Sequence, residues 1–354
     1  MREHSHMKFR VPVTTDFGET VEAQAPVVIS ASRSTDIPAF YSEWFINRLK
    51  IGHVAWYNPF NQKRIYVSFA NAKAVVFWSK NPKPLIPCLT ILDERPMHYY
   101  VQFTLNDYEH EGFEPMLPPL DARIETFREL SDTIGKEKVI WRFDPILATQ
   151  QHSPRDVLEK VWRIGEKLKG YTDKLVFSFV DIHAYRKVQR NLKSFSSTSR
   201  YHASEVTDTQ KEEIIVGLVA LRERWMSEGW NLSLAACADA KDWGPSIQHN
   251  SCIDAELMKQ IFSSDAEFLH YLSYGKIPDP KTPALQVPAH KHVNLHDKGQ
   301  RKACRCMISK DIGMYNTCPH HCAYCYANTS FETVERNVAA HSSQYESIIS
   351  RNSV

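Results

Sequence analysis

Apolar runs of strand length alternate with segments of helical periodicity along most of this chain. The runs with the composition of buried strands cover residues 27–31, 74–78, 99–105, 139–143, 174–180 and 232–236. Between two of them, residues 121–134 place Ile124, Phe127 and Leu130 on one side of a helix. Near-continuous apolar strands are typical of parallel sheets that are buried on both faces. The alternation therefore predicts an α/β protein with a TIM-like barrel, full or partial, of roughly six to eight βα units.

Turn and capping residues mark several element ends. Gly52 ends a helix over residues 41–50, and Gly135 ends the helix over 121–134. Ser153 and Pro154 predict a helix start, because Ser caps a helix and Pro suits its first turn. Residues 53–57 and 65–68 predict a β excursion around a turn at Asn58, and residues 208–228 predict a long helix.

The composition divides the chain into four parts. Residues 1–25 form an N-terminal extension, in which residues 4–7 resemble the remnant of an expression tag. Residues 26–275 form the main barrel body, and residues 300–354 form a C-terminal cysteine unit packed onto it. Between these, residues 276–299 are rich in Pro and Lys and include His290, His292 and His296, which favours a linker or a lid over the barrel mouth.

Charge and cysteine content bear on partners and location. The net charge of +2 does not indicate a nucleic-acid-binding protein, although it leaves room for a local basic patch. No run of 18 apolar residues is present, so no membrane partner is expected. Eight cysteines without an export signal favour a cytoplasmic protein with metal or redox chemistry.

Polar residues follow the predicted strands at the end where a barrel gathers its active site. These residues are Ser32, Arg33, Ser34, Thr35, Asp36, Ser79, Lys80, Asn81, Gln102, Thr104, Asn106, Asp107, Arg142, Asp144, Ser178, Asp181 and His183. Arg142 and Asp144 share one face by the two-residue period of a strand, and they are the candidate catalytic residues lining the pocket. Each residue also has a structural interpretation: Arg142 with Asp144 as a salt bridge, and Ser34 to Asp36 as a helix cap.

Three cysteines near the end of the chain have C-x3-C-x2-C spacing: Cys318, Cys322 and Cys325, with Tyr324 directly before the third. A loop of this length can direct three thiolates at one [4Fe–4S] cluster, and thiolates are the ligands that such clusters prefer. Three ligands for four irons leave one iron open. The alternative is a closed zinc site completed by His320 or His321, although neither of the usual zinc spacings is present.

The cysteine spacing resembles the signature of the radical S-adenosylmethionine (radical SAM) superfamily, and the Tyr-Cys-Tyr-Ala ending is similar to that of spore photoproduct lyase-type proteins. The resemblance implies that the open iron chelates SAM, whose reductive cleavage yields a 5′-deoxyadenosyl radical. It also implies an electron donor, such as a flavodoxin or a ferredoxin. By the same resemblance, Ser32, Arg33, Ser34, Asp36 and Tyr324 are the candidate cofactor-binding residues.

A second resemblance covers most of residues 26–330. The segments 30–38, 77–82, 142–145 and 297–301 resemble the bacterial proteins grouped as domain of unknown function 1848. This family brings no established substrate. It implies a radical SAM protein and leaves the substrate open among a small metabolite, a peptide and a nucleotide.

The cysteine loop stands at an unusual place for this superfamily. Radical SAM barrels carry the three cysteines after the first strand, whereas here they follow all the other predicted strands. We therefore expect a circularly permuted barrel. In it, a β-prone piece at 313–316, the cysteine loop and a helical tail from Thr329 supply the usual first βα unit, docked beside the strand at 27–31.

Four further cysteines can form a second site: Cys237, Cys252, Cys304 and Cys306. Four thiolates suit an auxiliary [4Fe–4S] cluster or zinc. Alternatively, Cys237 is a small buried apolar residue. An extended strand over 306–312 would carry Cys304 about 20 Å below Cys318, so the site requires residues 304–312 to be a loop.

Three functions fit these observations. The first is a radical SAM enzyme acting on an unidentified substrate. The second is a nucleic-acid-binding or redox-sensing protein with a structural zinc or iron–sulfur site and no SAM chemistry. The third is an iron–sulfur enzyme that uses its open iron as a Lewis acid without SAM.

Overall fold

An eight-stranded parallel sheet forms the centre of the protein in the computed structural model, which describes residues 9–277 and 293–349. The strands of the described residues are β1 (Arg10–Thr14), β2 (Thr20–Gln24), β3 (Val28–Ala31), β4 (His53–Tyr57), β5 (Arg64–Ser68), β6 (Ala74–Ser79), β7 (His98–Thr104), β8 (Val139–Ile146), β9 (Ala148–Thr149), β10 (Lys174–Phe179), β11 (Ala203–Ser204), β12 (Ser233–Cys237), β13 (Ile247–Asn250) and β14 (Lys310–Asp311). The predicted strands at 27–31, 74–78, 99–105, 139–143, 174–180 and 232–236 are confirmed within one to three residues at their ends.

Helices connect most of these strands. The α-helices of the described residues are α1 (Ile37–Phe40), α2 (Ser42–Ile51), α3 (Leu89–Asp93), α4 (Leu120–Ile134), α5 (Pro154–Leu168), α6 (Arg186–Ser196), α7 (Asp208–Ser227), α8 (Ala255–Ile261), α9 (Ala266–Tyr274) and α10 (Phe331–Ala339). The predicted helix start at Ser153 is confirmed, and its side chain forms a capping box with Asp156. Gly52 ends α2 with a φ of 101°, a left-handed conformation that favours glycine. No helix in the described part of the chain is long and apolar enough to cross a membrane.

The strand order places the last strand of the sheet beside the first. Across the large sheet the order is β13-β12-β10-β8-β7-β6-β3-β14. β14 pairs in parallel with β3, with Lys310 opposite Ile29 and Asp311 opposite Ser30. The predicted docking beside β3 is thus confirmed. No pairing within the described residues joins the edge strands β13 and β14, so the architecture is a large parallel sheet and a closed barrel is not shown.

The strand of the C-terminal unit lies slightly earlier than predicted. Residues 313–316 have no strand pairing, and the pairing ends at Asp311. Gly313 instead approaches the loop after β3 so closely that an added Cβ would lie 1.8 Å from Ser32 Oγ. The prediction of a strand at 313–316 is therefore wrong, because this segment has left the sheet to contact the neighbouring loop.

The two faces of the sheet are covered differently. The outer face packs on α2, α4, α5, α6 and α7 through Ile29, Val75, Val101, Trp141, Leu175 and Leu234. The inner face packs on α8, α9 and the segment 295–307 through Val28, Val76, Tyr100, Ile140, Val176 and Ala235. By the two-residue period, the next inward residues towards the carboxyl ends of these strands are Ser30, Trp78, Gln102, Arg142, Ser178 and Cys237, of which all but Trp78 carry a polar or thiol group.

A smaller sheet lies beside the barrel-like body. Its strand order is β1-β2-β5-β4, so residues 10–24 of the N-terminal segment form strands and the predicted excursion at 53–68 supplies the other two. Glu346 joins this sheet to the C-terminal part, since it accepts hydrogen bonds from Asp16 N at 2.7 Å and from Tyr66 OH at 3.0 Å. The tag-like residues and most of the predicted linker or lid, including His290 and His292, lie outside the described residues.

Candidate metal centres

The cysteine loop, residues 315–328, connects β14 to α10 at the carboxyl end of the sheet. Backbone carbonyls of the loop accept hydrogen bonds from side chains of the body: Asn191 Nδ2 to Cys325 O at 2.9 Å and Lys187 Nζ to Ala327 O at 3.2 Å. Within the loop, Asn328 Nδ2 donates to Cys318 O at 2.8 Å. The body therefore holds the end of the loop that begins at Cys325, and Asn328 connects that end to Cys318.

The three thiols of the loop lie close enough to influence one another. Burial, followed by the charges of Asp36 and of the other two cysteines, raises the pKa of Cys318 well above its ordinary value. Burial also raises the pKa of Cys325, although its sulfur accepts backbone hydrogen bonds from Ala327 at 3.3 Å and Asn328 at 3.4 Å. Metal binding must therefore displace protons from these thiols.

The spacing of the three sulfurs is wider than a zinc site requires. In a tetrahedral site with Zn–S bonds of about 2.3 Å, sulfurs lie about 3.8 Å apart. In the described residues, the group of three ligand atoms that lie mutually within 4.8 Å is Asp16, His53 and Glu346, and it does not include the loop thiols. At least one pair of the three loop sulfurs therefore lies more than 4.8 Å apart.

Both histidines of the loop have a carboxylate partner. His320 Nε2 lies 2.8 Å from Asp36 Oδ2, and His321 Nε2 lies 2.9 Å from Glu335 Oε1 on α10. The His321 ring also stacks on Phe331 with centroids 4.1 Å apart. These contacts hold both rings through Nε2, whereas Nδ1 of His320 is buried without a protein partner.

A buried polar network lies behind Tyr324. Lys80 Nζ contacts Glu114 Oε1 at 2.7 Å and Tyr324 OH at 2.9 Å, and Tyr324 OH donates a short hydrogen bond to Glu114. Asn106 Nδ2 donates to Glu114 Oε1 at 3.1 Å. Burial alone would lower the pKa of Lys80, but Glu114 and Cys322 outweigh it and hold this pKa above its ordinary value. Lys80 therefore carries a positive charge beside the cysteine loop.

The other candidate cofactor-binding residues connect the loop after β3 to the C-terminal unit. Asp311 Oδ1 accepts hydrogen bonds from Ser32 Oγ at 2.8 Å and Ser34 Oγ at 3.0 Å. Asp36 Oδ1 caps α1 by accepting from Ala39 N at 3.0 Å, and Asp36 Oδ2 accepts from Lys80 N at 2.8 Å as well as facing His320. The helix-cap interpretation of Asp36 is confirmed.

Several buried polar atoms around the loop have no protein partner. Among the described residues that contact or belong to it, the buried atoms without a hydrogen bond are Arg33 Nη2, His320 Nδ1 and Asn328 Oδ1, together with Glu114 Oε2, which faces Arg123 Nη1 at 3.8 Å. Buried polar groups are nearly always hydrogen-bonded in folded proteins. These atoms are therefore the ones that a group bound at the loop could satisfy.

The remaining four predicted cysteine ligands also converge. Cys237 Sγ lies 3.2 Å from Cys252 Sγ, and Cys306 Sγ accepts the backbone N–H of Cys252 at 3.2 Å. A hydrogen bond from Cys306 lowers the pKa of Cys304 to about 7. The prediction required residues 304–312 to be a loop: the segment 304–309 is irregular as required, whereas Lys310 and Asp311 form β14.

Arg142 and Asp144 lie on the inner face beside this four-cysteine group. Arg142 Nε donates to Asp144 Oδ2 at 3.1 Å, which confirms the predicted salt bridge. Arg142 Nη1 donates to Cys252 Sγ at 3.2 Å and to Gln102 Oε1 at 3.1 Å. Burial alone would lower the pKa of Arg142, but Asp144 and the thiols of Cys252 and Cys237 keep it well above its ordinary value.

Other polar residues at strand ends lie away from both cysteine groups. His183 has a side chain that is 86% exposed and faces Glu205, and Asp107 pairs with Arg163 at 2.9 Å on the outside. His296, from the predicted linker, instead lies beside the four-cysteine group, because it forms a backbone bridge with Met307, the residue after Cys306.

The Asp16, His53 and Glu346 group is an ion-pair network. Arg48 is fully buried and contacts Asp16 Oδ2 at 2.6 Å and His53 Nε2 at 3.2 Å. Arg48 supplies one positive charge to Asp16, while Glu346 accepts hydrogen bonds from Asp16 N and Tyr66 OH and faces His53 Nε2 at 3.5 Å. Protein groups therefore already contact both carboxylates.

Two residues of the site had no signal in the sequence. Glu114 lies in an irregular segment after β7, and Asp311 lies in a two-residue strand without apolar periodicity. Lys80, Asn106 and Gln102, by contrast, belong to the predicted set of polar strand ends. Only the proximity of distant segments identifies Glu114 and Asp311.

Comparison with known proteins identifies the family. No curated protein and no solved structure matches the chain. The family described as Domain of unknown function (DUF1848) matches residues 28–327, a span that contains all seven cysteines considered above. The chain therefore belongs to the DUF1848 family.

Proposed function

We propose that this protein is a radical SAM enzyme, with a [4Fe–4S] cluster held by Cys318, Cys322 and Cys325. The observation that carries the proposal is the gathering of three thiols on one loop at the carboxyl end of the sheet, with a C-x3-C-x2-C spacing. When bound there, the reduced cluster supplies the electron that cleaves SAM to a 5′-deoxyadenosyl radical. The substrate of that radical is open among a metabolite, a peptide and a nucleotide.

The groups around the loop suit an anionic, multi-iron centre. Backbone N–H groups of Ala327 and Asn328 point at Cys325 Sγ, where they favour the thiolate. Lys80 holds its positive charge near Cys322, with Glu114 and Tyr324 keeping it in place. Together these groups offset the negative charge of three buried thiolates.

The cofactor-binding assignments divide into two groups. We propose that Arg33, Asp36 and Tyr324 face SAM, since Arg33 Nη2 is buried without a partner and Tyr324 directly precedes Cys325. Ser32 and Ser34 are proposed to support these residues indirectly, because their hydroxyls donate hydrogen bonds to Asp311. Arg142 and Asp144 lie farther along the inner face and are proposed to line the substrate side.

The strand order supports a circularly permuted barrel as the origin of this arrangement. From β3, the neighbouring strands β6, β7, β8, β10, β12 and β13 follow in chain order, and β14 occupies the opposite side of β3. A strand, the cysteine loop and α10 thus stand where a first βα unit would precede β3. We propose that the family carries a radical SAM barrel whose first unit was moved to the end of the chain.

The test is anaerobic reconstitution with iron and sulfide, followed by incubation with SAM and dithionite. We expect a brown protein that forms 5′-deoxyadenosine, and a flavodoxin or ferredoxin with its reductase should replace dithionite. Cys322→Ala should abolish 5′-deoxyadenosine formation, whereas Cys88→Ala, a change at a half-buried thiol outside both cysteine groups, should preserve it.

Two results would overturn the proposal. A colourless protein that contains zinc and no iron would favour the nucleic-acid-binding or redox-sensing function. A brown protein that neither binds SAM nor forms 5′-deoxyadenosine would favour Lewis-acid chemistry at the open iron.

A further inference from the structure

We infer that Cys237, Cys252, Cys304 and Cys306 bind a second iron–sulfur cluster in the interior of the protein. This inference rests on the four-cysteine group alone and does not depend on SAM chemistry at the cysteine loop.

Three separate parts of the chain bring the four thiols together. Cys237 is the last residue of β12, and Cys252 follows the end of β13 by two residues. Cys304 and Cys306 come from the irregular segment before β14, which crosses the inner face of the sheet. Cys237 and Cys252 have their sulfurs 3.2 Å apart, and Cys252 N lies 3.2 Å from Cys306 Sγ. Such convergence of distant thiols has no packing reason, because any small apolar residue would fill the same space.

The surroundings supply hydrogen-bond donors to the sulfurs. Arg142 Nη1 and Asn250 Nδ2 donate to Cys252 Sγ at 3.2 and 3.3 Å. The backbone N–H groups of Cys252 and Ile253 lie 3.2 and 3.5 Å from Cys306 Sγ. Donors of this kind stabilise thiolates, and hydrogen bonds to sulfur are one way in which proteins tune iron–sulfur clusters.

Positive charge is concentrated at the same place. Arg142 is 3% exposed and points at Cys252, while Arg301 lies within electrostatic range of Cys237 and Cys304. Arg33 lies within the same range of Cys252 and Cys306, and also of Asp311. Three guanidinium groups therefore face two carboxylates at this place, Asp144 and Asp311. A four-thiolate metal centre carries the negative charge that would balance the third guanidinium.

The four sulfurs are within reach of one metal centre. They form a string of contacts, from Cys237 through Cys252 and Cys306 to Cys304, and no three of them lie mutually within 4.8 Å in the described residues. A tetrathiolate zinc site requires every sulfur pair to lie about 3.8 Å apart. An iron–sulfur cluster holds its ligand sulfurs farther apart than zinc does, so the 3.2 Å contact of Cys237 with Cys252 must open when a cluster binds, and the metal content decides between the two.

This centre gives Arg142 a second role, in addition to the one proposed for it on the substrate side. Its guanidinium joins Asp144 and Gln102 on the sheet to Cys252 at the sulfur group. We therefore regard Arg142 as a positioning residue of the second centre.

Iron and zinc counts on anaerobically reconstituted protein test the inference. With about four irons per cluster, we expect about eight irons in the unaltered chain and about four in Cys304→Ala/Cys306→Ala. The triple variant Cys318→Ala/Cys322→Ala/Cys325→Ala should also keep about four irons. Cys88→Ala, the matched thiol control, should keep the full count.

Electron paramagnetic resonance separates the two centres. The dithionite-reduced triple variant should show a cluster signal that added SAM does not alter. Because its three changes lie outside the four-cysteine group, this measurement remains decisive if Cys304→Ala/Cys306→Ala fails to fold.

Three results would overturn the inference: unchanged iron in Cys304→Ala/Cys306→Ala, no iron in the triple variant, or one zinc per chain that disappears with Cys304 and Cys306. Failure of the proposed function looks different. In that case, no 5′-deoxyadenosine would form, whether or not the triple variant loses iron, while the loss of iron in Cys304→Ala/Cys306→Ala would still support the second cluster.

Discussion

Replacing Asp311 with Asn should loosen the connection between the cysteine loop and the sheet. The Asp311 carboxylate accepts five hydrogen bonds, and its Oδ2 accepts two of them, from Ser30 Oγ at 2.7 Å and Arg33 N at 2.7 Å. An Asn side chain in the same orientation presents an N–H₂ group to the Arg33 N–H, so two donors would face each other. The Ser30 hydroxyl can reverse its role, but a backbone N–H cannot.

The expected loss follows from these contacts. Hydrogen bonds to charged groups contribute about 1.5–3 kcal/mol each, and an unsatisfied buried donor costs about 1–3 kcal/mol. Since one bond to Oδ2 is lost with its donor left unsatisfied and the others weaken, we expect Asp311→Asn to lower the free energy of unfolding by about 2–4 kcal/mol.

Urea unfolding followed by tryptophan fluorescence measures this change. The matched control is Asp242→Asn, because Asp242 is exposed and accepts one hydrogen bond, from Gly244 N at 2.9 Å. The control should change stability by less than about 0.5 kcal/mol. Equal unfolding midpoints for the two variants would refute the role assigned to Asp311. A chelator should also remove iron from Asp311→Asn faster than from the control.

Three further changes test the same region. Burial lowers the pKa of Lys310 to about 8. The charged form is therefore disfavoured in the folded protein by about 3 kcal/mol. Contact of the ammonium group with the Trp56 ring offsets about 1–2 kcal/mol of this cost. Lys310→Met should thus be more stable by about 1–2 kcal/mol at pH 7. Measured by urea unfolding, the stability difference between Lys310→Met and the unaltered protein should shrink as the pH rises from 8 towards 10. In that range the unfolded unaltered chain binds more protons than the folded one, so the unaltered protein gains stability with pH. Gly313→Ala should cost about 1–3 kcal/mol, because its Cβ would lie 2.5 Å from Ser32 Cβ. Glu114→Gln should cost about 3 kcal/mol, because it leaves the buried Lys80 charge without its partner at 2.7 Å.

The same types of substitution at other positions serve as controls, because they lack the contacts that make Gly313 and Glu114 sensitive. Gly217→Ala brings its Cβ within 2.1 Å of Leu158 Cδ1, the end of a flexible side chain that can move, and should cost less than Gly313→Ala. Glu256→Gln removes an exposed pair with Lys259 at 2.7 Å and should change stability by less than about 1 kcal/mol. A constant advantage of Lys310→Met from pH 7 to 10 would contradict the burial of its charge.

The periodic parts of the fold were predictable because local patterns specify them. The strands β3, β6, β7, β8, β10 and β12 are apolar on both faces, and the start of α5 has its capping residues in sequence. β13 was not predicted, because its segment Ile247–Asn250 carries a single aliphatic residue. The docking of β14 could be predicted from the cysteine motif, but its register could not, since close contact between Gly313 and Ser32 decides where the strand ends.

The two candidate sites also differ in how far the sequence alone predicts them. The cysteine loop has a local spacing, so its three ligands could be proposed from sequence. The four-cysteine group has ligands up to 69 positions apart, and only tertiary structure shows that its thiols converge. The contact of Arg142 with Cys252 joins residues 110 positions apart, and no pattern connects them.

The pairing of β14 with β3 has a consequence for synthesis on the ribosome. Ser30 and Asp311 are separated by 281 positions, so β3 emerges long before its partner strand exists. During that interval the nascent chain presents an open strand edge, and unpaired edges invite association with other chains. Because so long a segment of chain lies between β3 and β14, we also expect their pairing to be a late and slow event in folding. We therefore expect ribosome-bound chains that end before residue 310 to depend on chaperones, and cluster loading to wait until translation of the cysteine loop is complete.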